Sequence, residues 1–138
     1  MIQLDGVSMG EYTDSMTTWT LPAVIFVCII IPSFILAGET DVIAVDVRKS
    51  GDNLYHVDVT VTHTDEGWDH YADSWEVLDP EGNVLGTRTL YHPHVNEQPF
   101  TRSLSGVVIP DQVKQVTIRA HDSVHDYGGQ TQTIALPE

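Results

Sequence analysis

Alternation of apolar and polar residues is the strongest signal in the chain beyond residue 40. In "LYHVDVTVTHT" (54–64), Val57, Val59 and Val61 share one side, while His56, Asp58, Thr60 and Thr62 share the other. A period of two is that of an extended strand with one buried face. "VIAVDVRKS" (42–50), "VLGTRTLY" (84–91), "FTRSLSGVVI" (100–109), "QVTIRAHD" (115–122) and "QTQTIAL" (130–136) repeat the pattern, and "HYADSWEVLD" (70–79) adds a third strand in chain order. Turn residues separate them: "GDN" (51–53), "DPEGN" (79–83) and "PDQVK" (110–114). No long helical period, internal repeat or low-complexity tract interrupts this part of the chain. Seven short strands with turns every eight to twelve residues predict an all-β antiparallel sandwich over residues 39–138.

The N-terminal part differs in kind. "LPAVIFVCIIIPSFILAG" (21–38) is 18 residues without a charge, near the lower limit for a membrane span. Residues 1–38 are therefore expected to be a signal peptide, cleaved near Gly38 or Glu39, or a membrane anchor. Asp5, Glu11 and Asp14 precede the run where a signal peptide carries Lys or Arg, and Pro22 and Pro32 lie within it. Either reading exports the remainder, to a periplasmic or extracellular location, and limits membrane contact to residues 21–38 if they are uncleaved. The one cysteine, Cys28, lies inside the apolar run, so the exported domain has neither thiol nor disulfide. Val27 before it, and apolar residues after it, make it a poor lipid-attachment site.

The formal net charge of −14 excludes nucleic acid as a partner class, because phosphate binding needs a basic face. An acidic surface suits solubility or a salty environment equally well. Arg88 and Arg102 are rare positive charges in this background and are expected to pair with carboxylates.

Trp75 on the third strand, the hairpin "DPEGNVLG" and the strand-plus-loop "VTIRAHDSVHDYGG" resemble bacterial immunoglobulin-like and fibronectin type III-like modules over roughly residues 40–137. The resemblance implies a seven-stranded antiparallel immunoglobulin-like sandwich with Trp75 in its core. It implies little about activity, because the fold hosts many functions. The inter-sheet cysteine pair of antibody domains is absent.

Strand order turns scattered histidines into a cluster. Successive strands run up and down, so loops alternate between two poles. The loops after strands two, four and six are "HTDEGWDH", "HPHVNEQP" and "HDSVHDYGG". They hold His63, His70, His92, His94, His121 and His125, six of the chain's seven histidines, and the opposite pole has none. The seventh, His56, lies mid-strand on the polar face. Imidazole is the commonest transition-metal ligand, and with no thiolate available the expected ion is Cu or Zn. His92 and His94, two apart in extended backbone and stiffened by Pro93, are placed to present two rings to one ion. Glu97, Asp122 and Asp126 are candidate ligands or holders of imidazole tautomers, as are Asp65, Glu66 and Asp69. Trp68, Tyr71, Tyr91 and Tyr127 lie near the same pole.

The function expected is metal binding for storage, delivery or sensing, with an envelope protein as a further partner. The alternative is a protein- or glycan-interaction module without metal, whose loops touch the partner directly. A second alternative follows from "GTRTLYHPHVNE": Gly86, His92, His94 and Glu97 resemble the first cupin motif, which implies a metal-dependent enzyme. Glu97 follows His94 too closely for that motif, Gly106 lies too far beyond, and the second cupin motif is missing. No Gly-rich phosphate loop, serine elbow or zinc-protease helix motif is present, so no catalytic residue is assigned.

Overall fold

The computed structural model describes Gly10 and residues 38–138. The expected leader or anchor, with Cys28, lies outside the described residues apart from Gly10 and Gly38. No helix among the described residues is long and apolar enough to cross a membrane.

Seven strands form in chain order: β1 (Asp41–Gly51), β2 (Leu54–Thr62), β3 (Ala72–Leu78), β4 (Val84–Thr89), β5 (Phe100–Val108), β6 (Gln115–Asp122) and β7 (Gln132–Ala135). All pairings are antiparallel, in a three-stranded sheet ordered β1-β2-β5 and a four-stranded sheet ordered β4-β3-β6-β7. The protein is thus an all-β sandwich, with each strand close to its expected position. The sandwich lies within Phe34–Glu138, the second of the two units into which the chain divides.

The alternation has the expected physical result. Tyr55, Val57, Val59 and Val61 face inward from β2, and Val116, Ile118 and Ala120 face them from β6. Trp75 is fully buried between the sheets. Where the period of two fails, a bulge absorbs the extra residue. On β5 the inward residues Leu104 and Val107 are three apart, yet they pair with Val57 and Tyr55, which are two apart. Gly106 lies in that step with φ of +72°, a left-handed conformation that costs glycine little.

Hydrogen bonds draw three loops to one pole: β2–β3 (63–71), β4–β5 (90–99) and β6–β7 (123–131). The Ser123 amide donates to the Tyr71 carbonyl at 3.0 Å, the His94 amide to Asp65 Oδ2 at 2.6 Å, and the His63 amide to Gln98 Oε1 at 3.0 Å.

Candidate metal centre

Two strands carry their inward phase past their last apolar residue into polar ones. On β2 the buried series Val57, Val59, Val61 runs on to His63 and Asp65, both buried. On β6, Val116, Ile118 and Ala120 are followed by Asp122, which is fully buried. His63 and Asp122 therefore occupy core-facing positions at the loop-rich end of the sandwich. His70 joins them through a tight turn, in which the Glu66 amide donates to the His70 carbonyl at 2.8 Å. His63, His70 and Asp122 each bring one ligand atom to within 4.8 Å of the other two.

The contacts are closer than that bound. His63 Nε2 and His70 Nε2 lie 3.2 Å apart, and His70 Nε2 lies 3.3 Å from Asp122 Oδ1. The Gly38 carbonyl oxygen lies 3.1 Å from each of these two ring nitrogens. Ligands about 2.0 to 2.1 Å from a tetrahedral ion are about 3.3 Å from one another, a spacing that these atoms match.

Neighbouring groups orient the donors. Asp65 Oδ1 lies 2.5 Å from His63 Nδ1 and also accepts the Ala72 amide. A proton held on Nδ1 by this carboxylate leaves the Nε2 lone pair directed into the cluster, the usual arrangement for a metal-binding histidine. His70 Nδ1 faces Glu66 Oε2 at 3.5 Å. Asp122 Oδ1 accepts the amides of Val124 and His125, at 2.9 and 2.7 Å, and lies 3.1 Å from His125 Nδ1. Burial pushes the Asp122 carboxyl up, but those two amides and the His125 and His63 rings outweigh it and hold the group below the usual carboxylate range. Its Oδ2 is buried without a hydrogen-bond partner. Two imidazole nitrogens, a carboxylate and a carbonyl oxygen thus converge on one small volume, a donor set that could hold a cation.

The other candidate residues lie in separate settings. His125 supports Asp122, and its ring centroid is 4.9 Å from that of His70. His92 is exposed and His94 buried. Their rings stack at 4.5 Å with a tilt of 33°, and His94 stacks in turn on Phe100 at 3.9 Å. Rings stacked in this way direct their in-plane lone pairs alongside one another rather than at a shared point. Both ring nitrogens of His94 are buried without partners. Burial, with Arg102 and His92 nearby, pushes the His94 imidazole below its ordinary value. Glu97 is engaged by Arg102 through two hydrogen bonds, at 2.9 and 3.2 Å. His121 points to the outer face of the four-stranded sheet, where its Nδ1 meets Asp73 at 2.6 Å and its Nε2 meets the exposed Asp126 at 3.3 Å. His56 bonds to Ser105 and Asp58 in mid-strand. Arg102 has its expected carboxylate, whereas Arg88 has none within ion-pair reach among the described residues.

The alternation of strands places all three loops at one pole and points to the "HPH" pair, whereas the converging set joins the β2–β3 loop to the end of β6. The available signal was a histidine and an aspartate in phase with the valines of β2 and β6. The Gly38 carbonyl gave no signal, since a backbone oxygen carries no residue identity.

No protein-family profile matches the chain. Over 96 residues it is 38% identical to a protein of Halomicrobium mukohataei named "Putative lipoprotein". The aligned stretch is 70% of this chain and 47% of that protein, so the chain spans about half the length of this relative. Among solved structures, the superoxide reductase (neelaredoxin) of Archaeoglobus fulgidus, in a reduced variant form, is 10% identical with a TM-score of 0.45, over 70% of this chain and 87% of that one. A likeness that slight bears on neither the fold nor the chemistry here.

Proposed function

We propose that this protein is an exported immunoglobulin-like or fibronectin type III-like module that binds a divalent transition metal, Zn²⁺ or Cu²⁺, through His63, His70 and Asp122. It serves storage, delivery or sensing of that ion. The observation that carries the reading is the convergence of two imidazole Nε2 atoms 3.2 Å apart on the buried Asp122, whose Oδ1 lies 3.3 Å from His70 Nε2. Imidazole and carboxylate donors without sulfur suit Zn²⁺ and Cu²⁺ better than Cu⁺. The three-plus-four strand order supports the module type. The uncharged run at 21–38 and the name of the haloarchaeal relative support export with attachment to a membrane, and a division into residues 1–38 and 39–138.

The test is retention of metal by the full chain. After incubation with Zn²⁺ or Cu²⁺ and removal of the excess, one ion per chain is expected, with a raised thermal midpoint, because a ligand bound only by the native state stabilises it. His70→Ala should lose both effects, while His56→Ala should keep them. Absence of a retained ion in the parent overturns the reading. Loss of the ion in a His92→Ala, His94→Ala double variant, with retention in His70→Ala, moves the site to the "HPH" segment.

One observation favours a second reading. Trp68, Tyr91, Val95 and Val124, all in the three loops at the histidine-rich pole, are more than half exposed. Apolar side chains gathered on loop tips suit a contact with a protein or glycan partner. Under that reading Trp68→Ala and Tyr91→Ala weaken partner binding and leave metal retention unchanged.

A further inference from the structure

The three side-chain donors leave a fourth position, and the nearest group to it belongs to the backbone. The Gly38 carbonyl oxygen is 3.1 Å from both His63 Nε2 and His70 Nε2, as close as the two nitrogens are to each other. The chain around it is held firmly. Thr40 is fully buried. Gln130 donates its amide to Asp41 Oδ1 at 2.7 Å, and its carbonyl accepts the Val42 amide at 2.8 Å. A Cβ on Gly129 would fall 2.0 Å from the Thr40 carbonyl oxygen, and one on Gly38 would fall 2.5 Å from His125 Cε1. The stretch entering β1 thus lies flat on the β6–β7 loop because neither glycine carries a side chain.

Resting on the metal reading above, we propose that the Gly38 carbonyl is the fourth donor. The ion then sits in a closed set of two nitrogens and two oxygens, and it clasps the chain entering β1 onto the β6–β7 loop. A filled four-coordinate set is the pattern of sites that hold a metal, whereas catalytic sites keep a position open. Bound ion also couples the site to whatever becomes of the chain upstream. Processing that removes Gly38 opens the shell, and occupancy in turn fixes the peptide between Gly38 and Glu39.

The experiment is heteronuclear NMR on the ¹³C,¹⁵N-labelled full chain in mild detergent, with Zn²⁺ as the probe. The Gly38 carbonyl-carbon resonance, read through the Glu39 amide, should move on Zn²⁺ addition, while those of Gly51 and Gly82 at the far pole stay in place. With free Zn²⁺ at about ten times its Kd, mass action should slow hydrogen exchange at the Glu39 and Thr40 amides about tenfold. In His70→Ala both responses should vanish. If the parent retains Zn²⁺ and His70→Ala does not, yet Gly38 neither shifts nor gains protection, the carbonyl is idle and the proposal fails while the metal reading stands. If the parent retains no Zn²⁺, both fall together.

Discussion

At the residue scale, Asp65 does more than its distance from the metal donors suggests. It orients His63 through Oδ1, caps the Ala72 amide with the same oxygen and takes the His94 amide with Oδ2. Asp65→Asn keeps the shape but replaces an acceptor with a donor that faces an amide. Metal affinity should fall about 10- to 100-fold, and stability by about 1 to 3 kcal/mol. Isothermal titration and urea unfolding separate the two effects, and an unchanged affinity would remove Asp65 from the site. His94 offers a pH test. Burial first, then the Arg102 and His92 charges, depress its imidazole, against the opposing pull of Glu97 and Asp65. The unfolded chain takes up that proton near pH 6.5, so between the folded value and about 6.5 the unfolded state binds more protons. Stability from this group is therefore complete above about pH 6.5 and is lost as pH falls through the folded value. His94→Phe, which keeps a flat ring on Phe100, should show a shallower decline in urea midpoint below pH 6.5. Parallel curves for variant and parent would mean that another group sets the slope.

At the element scale, the entry to β1 and the β6–β7 loop act as one clasp. Gly129→Ala places a methyl group against the Thr40 backbone, which no change of rotamer relieves. The thermal midpoint should fall, and the rise produced by Zn²⁺ should shrink because the Gly38 carbonyl moves with the displaced chain. A midpoint equal to that of the parent would show that the clasp yields without cost. The core strands follow a different rule. Trp75→Ala empties a fully buried site between the sheets and should cost about 3 to 5 kcal/mol in urea unfolding, with no direct effect on the metal donors.

At the scale of the whole molecule, charge dominates. Of the acidic residues behind the formal charge of −14, Asp5, Glu11 and Asp14 precede residue 39; the remaining seventeen Asp and Glu against six Lys and Arg leave −11 on residues 39–138, and the repulsion among them opposes compactness. Between 0.1 M and 1 M salt the screening length falls from about 10 Å to about 3 Å. The thermal midpoint should therefore rise as KCl increases over that range, measured without metal so that ion binding does not contribute. A flat response would show that the carboxylates are spaced widely enough to ignore one another. The same charge raises the local concentration of cations around the histidine-rich pole, which favours capture of a metal ion and disfavours anionic partners.

Local pattern was enough for the sandwich. Val57, Val59 and Val61 on one side of β2, and the turn residues of "DPEGN", fixed strands and hairpins because an extended chain in water must bury one face and reverse at residues that tolerate turning. Up-and-down strand order was enough to gather three loops at one pole. Side-chain direction within those loops was a different matter. His92 and His94 share an extended segment, but Phe100 offers His94 a flat apolar partner, so the pair stacks instead of converging on an ion. His121 and Asp122 are adjacent in sequence, yet pleating sends one to the outer face and the other into the core. Whether His63, His70 and Asp122 meet depends on the packing of β2 against β6, contacts between residues about sixty apart, which no local pattern encodes. The Gly38 oxygen was invisible for a further reason: every residue has a carbonyl, and only the fold decides which one faces a cluster of lone pairs.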